Sequence, residues 1–234
     1  MRKLSVMVSI ALTVSGCADL SHSVYKDPDA PVEKRVRDLL RRMTFEEKVW
    51  QLSQGVLGKN DNPNNQGINR NTSPMIGSLI SMVEDSRETN EFQRKALEET
   101  RLGIPVLMGY DVIHGQRTIF PVPLAQAASF NPDLTYKSCR IAAAEAWASG
   151  IDWTFSPMID ICHDPRWGRV MESYGEDPHV NSIFCVAAVK GYQGDDLSAA
   201  GNIASCLKHF VGYGASEGGR DYNRTEISEY TLRN

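Results

Sequence analysis

The chain has 234 residues, of which 41% are hydrophobic and 23% charged, a balance typical of a globular protein with a sizeable core. The formal net charge is -4, and no Lys/Arg run longer than two occurs in the body of the chain. These features argue against a nucleic-acid-binding protein, which would need a basic surface.

The N-terminus has the pattern of an export signal. A positive start precedes an apolar run over 4–14 that is too short to span a bilayer. The letters VSGC ending at Cys17 resemble a bacterial lipobox, in which this cysteine becomes the lipidated first residue; the alternative is plain cleavage after Ala18. We expect a lipoprotein-type signal peptide over 1–16 and a polar tether over 17–31. The protein would then lie in the periplasm or cell envelope, with the lipid at Cys17 as its only membrane contact.

The remaining cysteines do not form a recognisable framework. They lie far apart inside apolar stretches, with no CxxC pair, and we expect small buried hydrophobic residues instead of disulfides or metal ligands. They are Cys139, Cys162, Cys185 and Cys206. No metal site and no cofactor is predicted.

Helices and strands alternate along the rest of the chain. Four helix starts are marked by capping residues: Thr44 with Glu47, Asp85 with Glu88, Asn131 before a proline, and Asp177 before a proline. The predicted helices are 32–43, 44–52, 85–101, 131–150 and 177–192. The predicted strands are 76–82, 104–109, 151–156 and 203–207, and the Asn- and Gly-rich stretch 58–74 is predicted to be a loop.

This alternation predicts a parallel α/β sheet, either open and doubly wound or closed into a barrel. Polar residues follow the predicted strands at their carboxyl ends: 111 and 114, then 160–169, then 208 and 209. A barrel gathers its chemistry from several strand ends in this way, and no glycine-rich phosphate loop is present. We therefore predict the N-terminal part of a (β/α)8 TIM-like barrel over 32–234.

Three groups of residues could carry chemistry, and each has a structural alternative. Asp111 could accept bonds from two neighbouring sugar hydroxyls, or could cap the next turn. Lys208 and His209 could donate to hydroxyls if the backbone bends after the strand, or could be an exposed lysine beside a core histidine.

The third group is the loop 164–178, which contains arginines, carboxylates and Trp167. An arginine fork can hold hydroxyls or a carboxylate, and the indole offers a flat face to a sugar ring. The alternative is an ion-pair network that stiffens the loop. We expect both, with Arg166, Glu172 and Glu176 as bracing residues.

Together these groups resemble glycoside hydrolase family 3, in its β-glucosidase branch. The segments that carry the resemblance are DVIHGQRT-FP, SFNPDL, DPRWGR-MESYGEDP and KHFVGYG...GRDYNR, in that order. The resemblance implies a barrel followed by an α/β sandwich domain, and retaining hydrolysis of terminal β-D-glucosyl residues through a glycosyl-enzyme intermediate. It implies that Asp111, Arg169, Lys208 and His209 bind the glucose ring in the first subsite.

The resemblance also predicts what this chain lacks. The family's nucleophilic Asp and its acid/base Glu are expected beyond Asn234, so no residue here is assigned either role, and we expect the chain alone to be inactive. A β-N-acetylglucosaminidase of the same family is disfavoured because its proton-shuttle histidine is absent: its Asp-Ser-His corresponds here to RDYN over 220–223, and Tyr213 replaces the histidine of its KHFPGHG motif. A β-xylosidase, an exo-β-glucanase, and a lipid-anchored carbohydrate-binding protein without activity remain alternatives.

Overall fold

The computed structural model describes residues 23–58, 72–82 and 85–233. The expected signal peptide and Cys17 lie outside these residues, as does most of the predicted loop 58–74. Within the described residues, no helix is long and apolar enough to cross a bilayer. The chain divides into two compact units, one ending at Val49 and the other beginning at Trp50.

The first unit contains helix α1 (Val32–Arg42) and the start of helix α2 (Phe45–Gln51). Within the expected tether, Val24–Lys26 forms a short 3-10 helix that is held against α1. The main-chain N–H of Tyr25 donates to Asp38 at 3.1 Å, and the Tyr25 ring is buried. This part of the segment is therefore structured.

The predicted capping box at the start of α2 is confirmed. The Thr44 hydroxyl accepts from the Glu47 N–H at 3.2 Å, and the Glu47 carboxylate accepts from the Thr44 N–H at 2.8 Å. Each side chain satisfies a main-chain donor that the first helical turn leaves unpaired.

Within the described residues, the second unit is built on a parallel sheet of five strands in the order β1-β2-β3-β4-β5, so neighbours in sequence are neighbours in space. The strands are β1 (Gln54–Leu57), β2 (Ser78–Ser81), β3 (Leu107–Tyr110), β4 (Trp153–Thr154) and β5 (Ala204–Ser205). The predicted parallel α/β arrangement is confirmed. The sequence did not predict β1, and the other strands are shorter than their apolar runs because regular pairing with the neighbouring strands covers only part of each run.

The helices of this unit are α3 (Ser86–Glu98), α4 (Pro123–Ala127), α5 (Pro132–Ala148), α6 (Pro178–Gln193) and α7 (Glu229–Arg233). The predicted caps of α5 and α6 are confirmed: Asn131 accepts from the Asp133 N–H, and Asp177 accepts from two main-chain N–H groups of the first turn. These bonds fix where each helix begins, and hence where the preceding loop ends.

The largest core cluster lies where α5 and α6 pack together. Small residues on α5 face α6, and a Cβ added at Gly191 would come within 2.6 Å of the Cys139 Cβ, so the close approach of the helices requires glycine there. Phe184 and Tyr192 belong to the same cluster, each with at most 3% of its surface exposed. Burial of a side chain such as Phe184 contributes about 1.5–3 kcal/mol.

All four described cysteines are free thiols. Cys139 and Cys162 are buried, as expected, whereas Cys185 and Cys206 are partly exposed. Burial raises the pKa of the Cys139 thiol to about 12.

Candidate active site

The carboxyl ends of β3, β4 and β5 bring distant parts of the sequence together. Asp111 directly follows β3, which pairs with β4 through Gly109 and Trp153. Beyond the regular strands, the chain after β5 still pairs with the chain after β4: Met158 bridges Lys208, and the Ile159 N–H donates to the Lys208 carbonyl at 2.7 Å. Side chains from all three strand ends therefore reach one region.

Asp111 and Lys208, 97 residues apart in sequence, form a direct ion pair. The Lys208 Nζ lies 2.7 Å from the Asp111 Oδ1. The lysine side chain is 13% exposed and the aspartate side chain 52% exposed, so the carboxylate faces solvent while the ammonium group lies beneath it. Asp111 thus keeps accepting capacity for a ligand, and does not cap a turn.

Arg169 is held by Glu172 in a two-point bond. Its Nε and Nη2 lie 2.8 and 2.7 Å from the two carboxylate oxygens. These bonds hold the pKa of Glu172 below its ordinary value, and the charge of Lys208 acts in the same direction. The two-point bond to Arg169 agrees with the bracing role expected for Glu172.

His209 is anchored to a buried carboxylate. Its Nδ1 lies 2.8 Å from the Asp160 Oδ2, and its main-chain N–H donates to the same oxygen at 3.1 Å. The Asp160 side chain is 1% exposed, whereas the histidine side chain is 33% exposed. The peptide bond between Lys208 and His209 is cis.

The ring of Tyr213 contacts the side chains of both His209 and Arg169. The ring of Tyr213 lies 4.8 Å from that of His209, and the Arg169 guanidinium carbon lies 5.5 Å from its centre. Its hydroxyl donates to Asp221 at 2.6 Å. Burial raises the pKa of Tyr213 to about 12, and the bond to Asp221 acts in the same direction.

The structure thus gathers Asp111, Arg169, Lys208 and His209 in one place, which we call the polar cluster. Sequence reasoning missed three residues that support it: Asp160, Tyr213 and Asp221. The sequence shows a carboxylate or a tyrosine at each of these positions, but only the fold brings the three residues beside the polar cluster.

One expectation about the loop 164–178 is wrong. Trp167 does not offer a face to a sugar, because its side chain is 1% exposed and packs with Met158 and Cys162. Its indole N–H donates to Asp221 at 2.9 Å. The same carboxylate accepts from Tyr213, and both bonds lower the pKa of Asp221. The indole therefore fixes the loop from within, with Val170 and Tyr213 packed against the same cluster.

The loop 164–178 also contains an ion pair at its surface. Arg166 donates through its Nε and Nη2 to Asp164, at distances from 2.6 to 3.2 Å, with the arginine side chain 72% exposed. A pair this exposed contributes little to stability, because water screens the two charges. Arg166 therefore has the geometry of the bracing residue that the sequence predicted.

Fold and cluster together define a parallel α/β protein with donors and acceptors of hydrogen bonds gathered at the carboxyl ends of its strands. The model of the glycosyl hydrolase family 3 N-terminal domain matches residues 44–234. The chain therefore belongs to glycosyl hydrolase family 3, and the resemblance stated from its motifs is confirmed.

Two curated relatives and one solved structure locate the chain within this family. The periplasmic beta-glucosidase of Salmonella typhimurium is 35% identical over 230 residues, which cover 97% of this chain and 30% of that protein. A putative beta-xylosidase of Formosa agariphila is 34% identical over 229 residues, covering 89% of this chain and 30% of the relative.

The solved structure is a variant of the beta-glucosidase from Listeria innocua in complex with laminaribiose. It matches with a TM-score of 0.78 and 38% identity, over 86% of this chain and 30% of that one. The chain thus spans about 30% of the length of each of these proteins.

Proposed function

We propose that the polar cluster is the first sugar subsite of a retaining β-glucosidase, which removes terminal β-D-glucosyl residues from oligosaccharides or glucosides. Asp111, Arg169, Lys208 and His209 hold the hydroxyls of one glucose ring. The complete protein carries out the hydrolysis, and this chain contributes the binding side of the site.

The ion pair between Asp111 and Lys208 carries this proposal. It places an acceptor-only group and a donor-only group side by side at an open surface. A pair of neighbouring sugar hydroxyls can donate to the first and accept from the second at once. Such contacts strengthen as the ring flattens toward an oxocarbenium ion, so they lower the barrier as well as bind the substrate.

The carboxylates around the cluster are engaged in other bonds, so none is assigned as nucleophile or general acid. Asp111 pairs with Lys208, Asp160 with His209, and Glu172 with Arg169. We propose that the two catalytic carboxyl groups of the retaining mechanism come from elsewhere in the complete protein, and that the 234-residue chain by itself does not turn over substrate.

We propose further that the five strands form part of a (β/α)8 barrel, and that the complete protein adds an α/β sandwich domain. Support comes from the strand order, which follows the sequence without the reversal that creates the switch point of an open sheet. Polar residues at three successive strand ends also suit a barrel.

The function is tested by the full-length protein acting on an aryl β-D-glucoside. We expect Asp111→Ala to lower kcat/KM by about 100-fold, equivalent to roughly 2.7 kcal/mol of transition-state stabilisation. The matched control is Asp195→Ala, which removes an exposed carboxylate after α6 and is expected to leave kcat/KM within about twofold. An unchanged kcat/KM in the Asp111 variant would remove this residue from the site.

The same assay separates the alternatives. The likeness to a putative beta-xylosidase makes a β-xyloside the second substrate to test, and a higher kcat/KM for the xyloside would reassign the specificity. An exo-β-glucanase would prefer longer glucans to the aryl glucoside. Glucose binding without turnover by the full-length protein would instead favour a carbohydrate-binding protein that lacks activity.

For location, we propose an envelope lipoprotein with a signal peptide over 1–16, the lipid on Cys17, a tether over 17–31 and the hydrolase domain from 32 onward. The lipobox-like letters support this, and the Salmonella relative is named as periplasmic. Growth with labelled palmitate should label the wild-type protein and not Cys17→Ser. Equal labelling of both would contradict the lipid anchor. A mature chain that begins immediately after Ala18 would support plain cleavage.

A further inference from the structure

Asp160 is the most deeply buried carboxylate among the described residues that contact the polar cluster. Its side chain is 1% exposed and is directed at His209. We infer that Asp160 is a positioning residue: it fixes the His209 ring with the proton on Nδ1, so that Nε2 accepts a hydrogen bond from a sugar hydroxyl. This inference rests on the proposed function, because it assigns a role within the same subsite.

The geometry determines which ring nitrogen carries the proton. The Asp160 Oδ2 accepts from the main-chain N–H of His209, a group that can only donate, so this oxygen acts as an acceptor. The same oxygen lies 2.8 Å from Nδ1. A bare Nδ1 would place two lone pairs against each other at this distance, whereas a protonated Nδ1 makes a charge-assisted hydrogen bond.

The rest of the ring is oriented by its surroundings. Tyr213 packs against it edge to face, with the two rings inclined by 83°. Nδ1 is directed at the buried Asp160 carboxylate, and one third of the histidine side chain is exposed. Among the described residues, Nε2 has no hydrogen-bonding partner. In the neutral ring this nitrogen has a lone pair and no proton, so it is an acceptor.

A proton on Nδ1 changes how many hydrogen-bond donors and acceptors the site offers to a sugar. From the sequence alone, a neutral His209 could donate to a hydroxyl, which would leave Asp111 as the single acceptor among the four residues. With Nε2 as a second acceptor, the cluster offers two acceptors and two cationic donors, Lys208 and Arg169. A sugar hydroxyl has one proton to donate and lone pairs that accept, so a ring with adjacent hydroxyls can satisfy both kinds of group.

The experiment combines a spectroscopic and a binding measurement on the protein. Long-range 1H–15N correlations of 15N-histidine-labelled protein, at a pH where the ring is neutral, report which nitrogen of His209 carries the proton. We expect the Nδ1–H form in the wild type. Asp160→Ala should shift the ring toward the Nε2–H form and weaken D-glucose binding by about tenfold. Asp160→Asn retains an oxygen acceptor and should preserve most of both properties.

Asp111→Ala, tested in the same glucose titration, separates this inference from the proposed function. If it leaves the glucose Kd unchanged, the sugar subsite itself is wrong. If it weakens binding while Asp160→Ala stays within about twofold of the wild type, the subsite stands and the positioning role is overturned. Should Asp160→Ala fail to fold, the wild-type spectrum still decides, because an Nε2–H ring would overturn the inference.

Discussion

A buried hydroxyl on α6 binds the loop that carries Asp111, and removal of this hydroxyl should have a measurable effect on stability. Tyr192 on α6 donates its O–H to the main-chain carbonyl of Val112, the residue after Asp111. Tyr192 is 1% exposed and Val112 is fully buried. Burial holds the pKa of Tyr192 well above its ordinary value, so the hydroxyl remains a donor.

Tyr192→Phe would leave the ring in place and remove only this donor. The Val112 carbonyl would then be buried away from solvent with its donor lost, and the desolvation cost of such a group is about 1–3 kcal/mol. Because phenylalanine fills nearly the same volume, little is added for a cavity. We therefore expect the free energy of unfolding to fall by about 1–3 kcal/mol.

Urea denaturation, followed by circular dichroism, measures this change. Tyr136→Phe on α5 is the matched control, since that side chain is 40% exposed, and we expect a change within about 0.5 kcal/mol. If Tyr192→Phe were as stable as the control variant, the hydroxyl would not be holding the loop.

Three further predictions concern other parts of the structure. Pairing with Arg169 lowers the pKa of Glu172 in the folded state, so the pair stabilises the protein at neutral pH and this stabilisation is lost as the pH falls through that lowered pKa. Thermal unfolding at several acidic pH values should show the loss in the wild type and not in Glu172→Gln. The variant should also be less stable at neutral pH by about 1–3 kcal/mol. Asp177→Ala should lower the free energy of unfolding, measured by urea denaturation, by about 0.5–2 kcal/mol, because two N–H groups of α6 lose their acceptor. Asp195→Ala removes an exposed carboxylate, and an effect of Asp177→Ala no larger than that of this control would contradict the cap. Mass spectrometry after a thiol reagent should find Cys206 modified before Cys139, whose buried thiol has a pKa of about 12; equal rates would mean that the α5–α6 core opens readily.

The elements predicted from sequence are those whose cause is local. Asn131 and Asp177 are each followed by proline and then by a long apolar-periodic segment, so the start of the helix is determined by a few neighbouring residues. Strand β1 was missed because its sequence, QGVL, is not a continuous apolar run, and helix α4 was missed because five residues are too few to show a helical period. Their formation depends on neighbours that are distant in sequence.

The residues of the candidate site likewise divide into those that the local sequence identifies and those whose role depends on the fold. Motif resemblance identified Asp111 and Lys208, and the fold places them in contact across 97 residues. The role of Asp160 depends on the chain after β4 lying beside the chain after β5, and Trp167 was misjudged because its burial depends on packing with Met158. Burial and partner choice are tertiary properties that spacing along the sequence does not encode.

The most direct test of the account is a crystal structure of the protein with D-glucose bound. We predict one glucose ring at the carboxyl ends of β3 and β5, with its hydroxyls within hydrogen-bonding distance of Asp111, Arg169, Lys208 and His209. Saturating glucose that leaves this region empty, or a ring bound away from these four side chains, would contradict it.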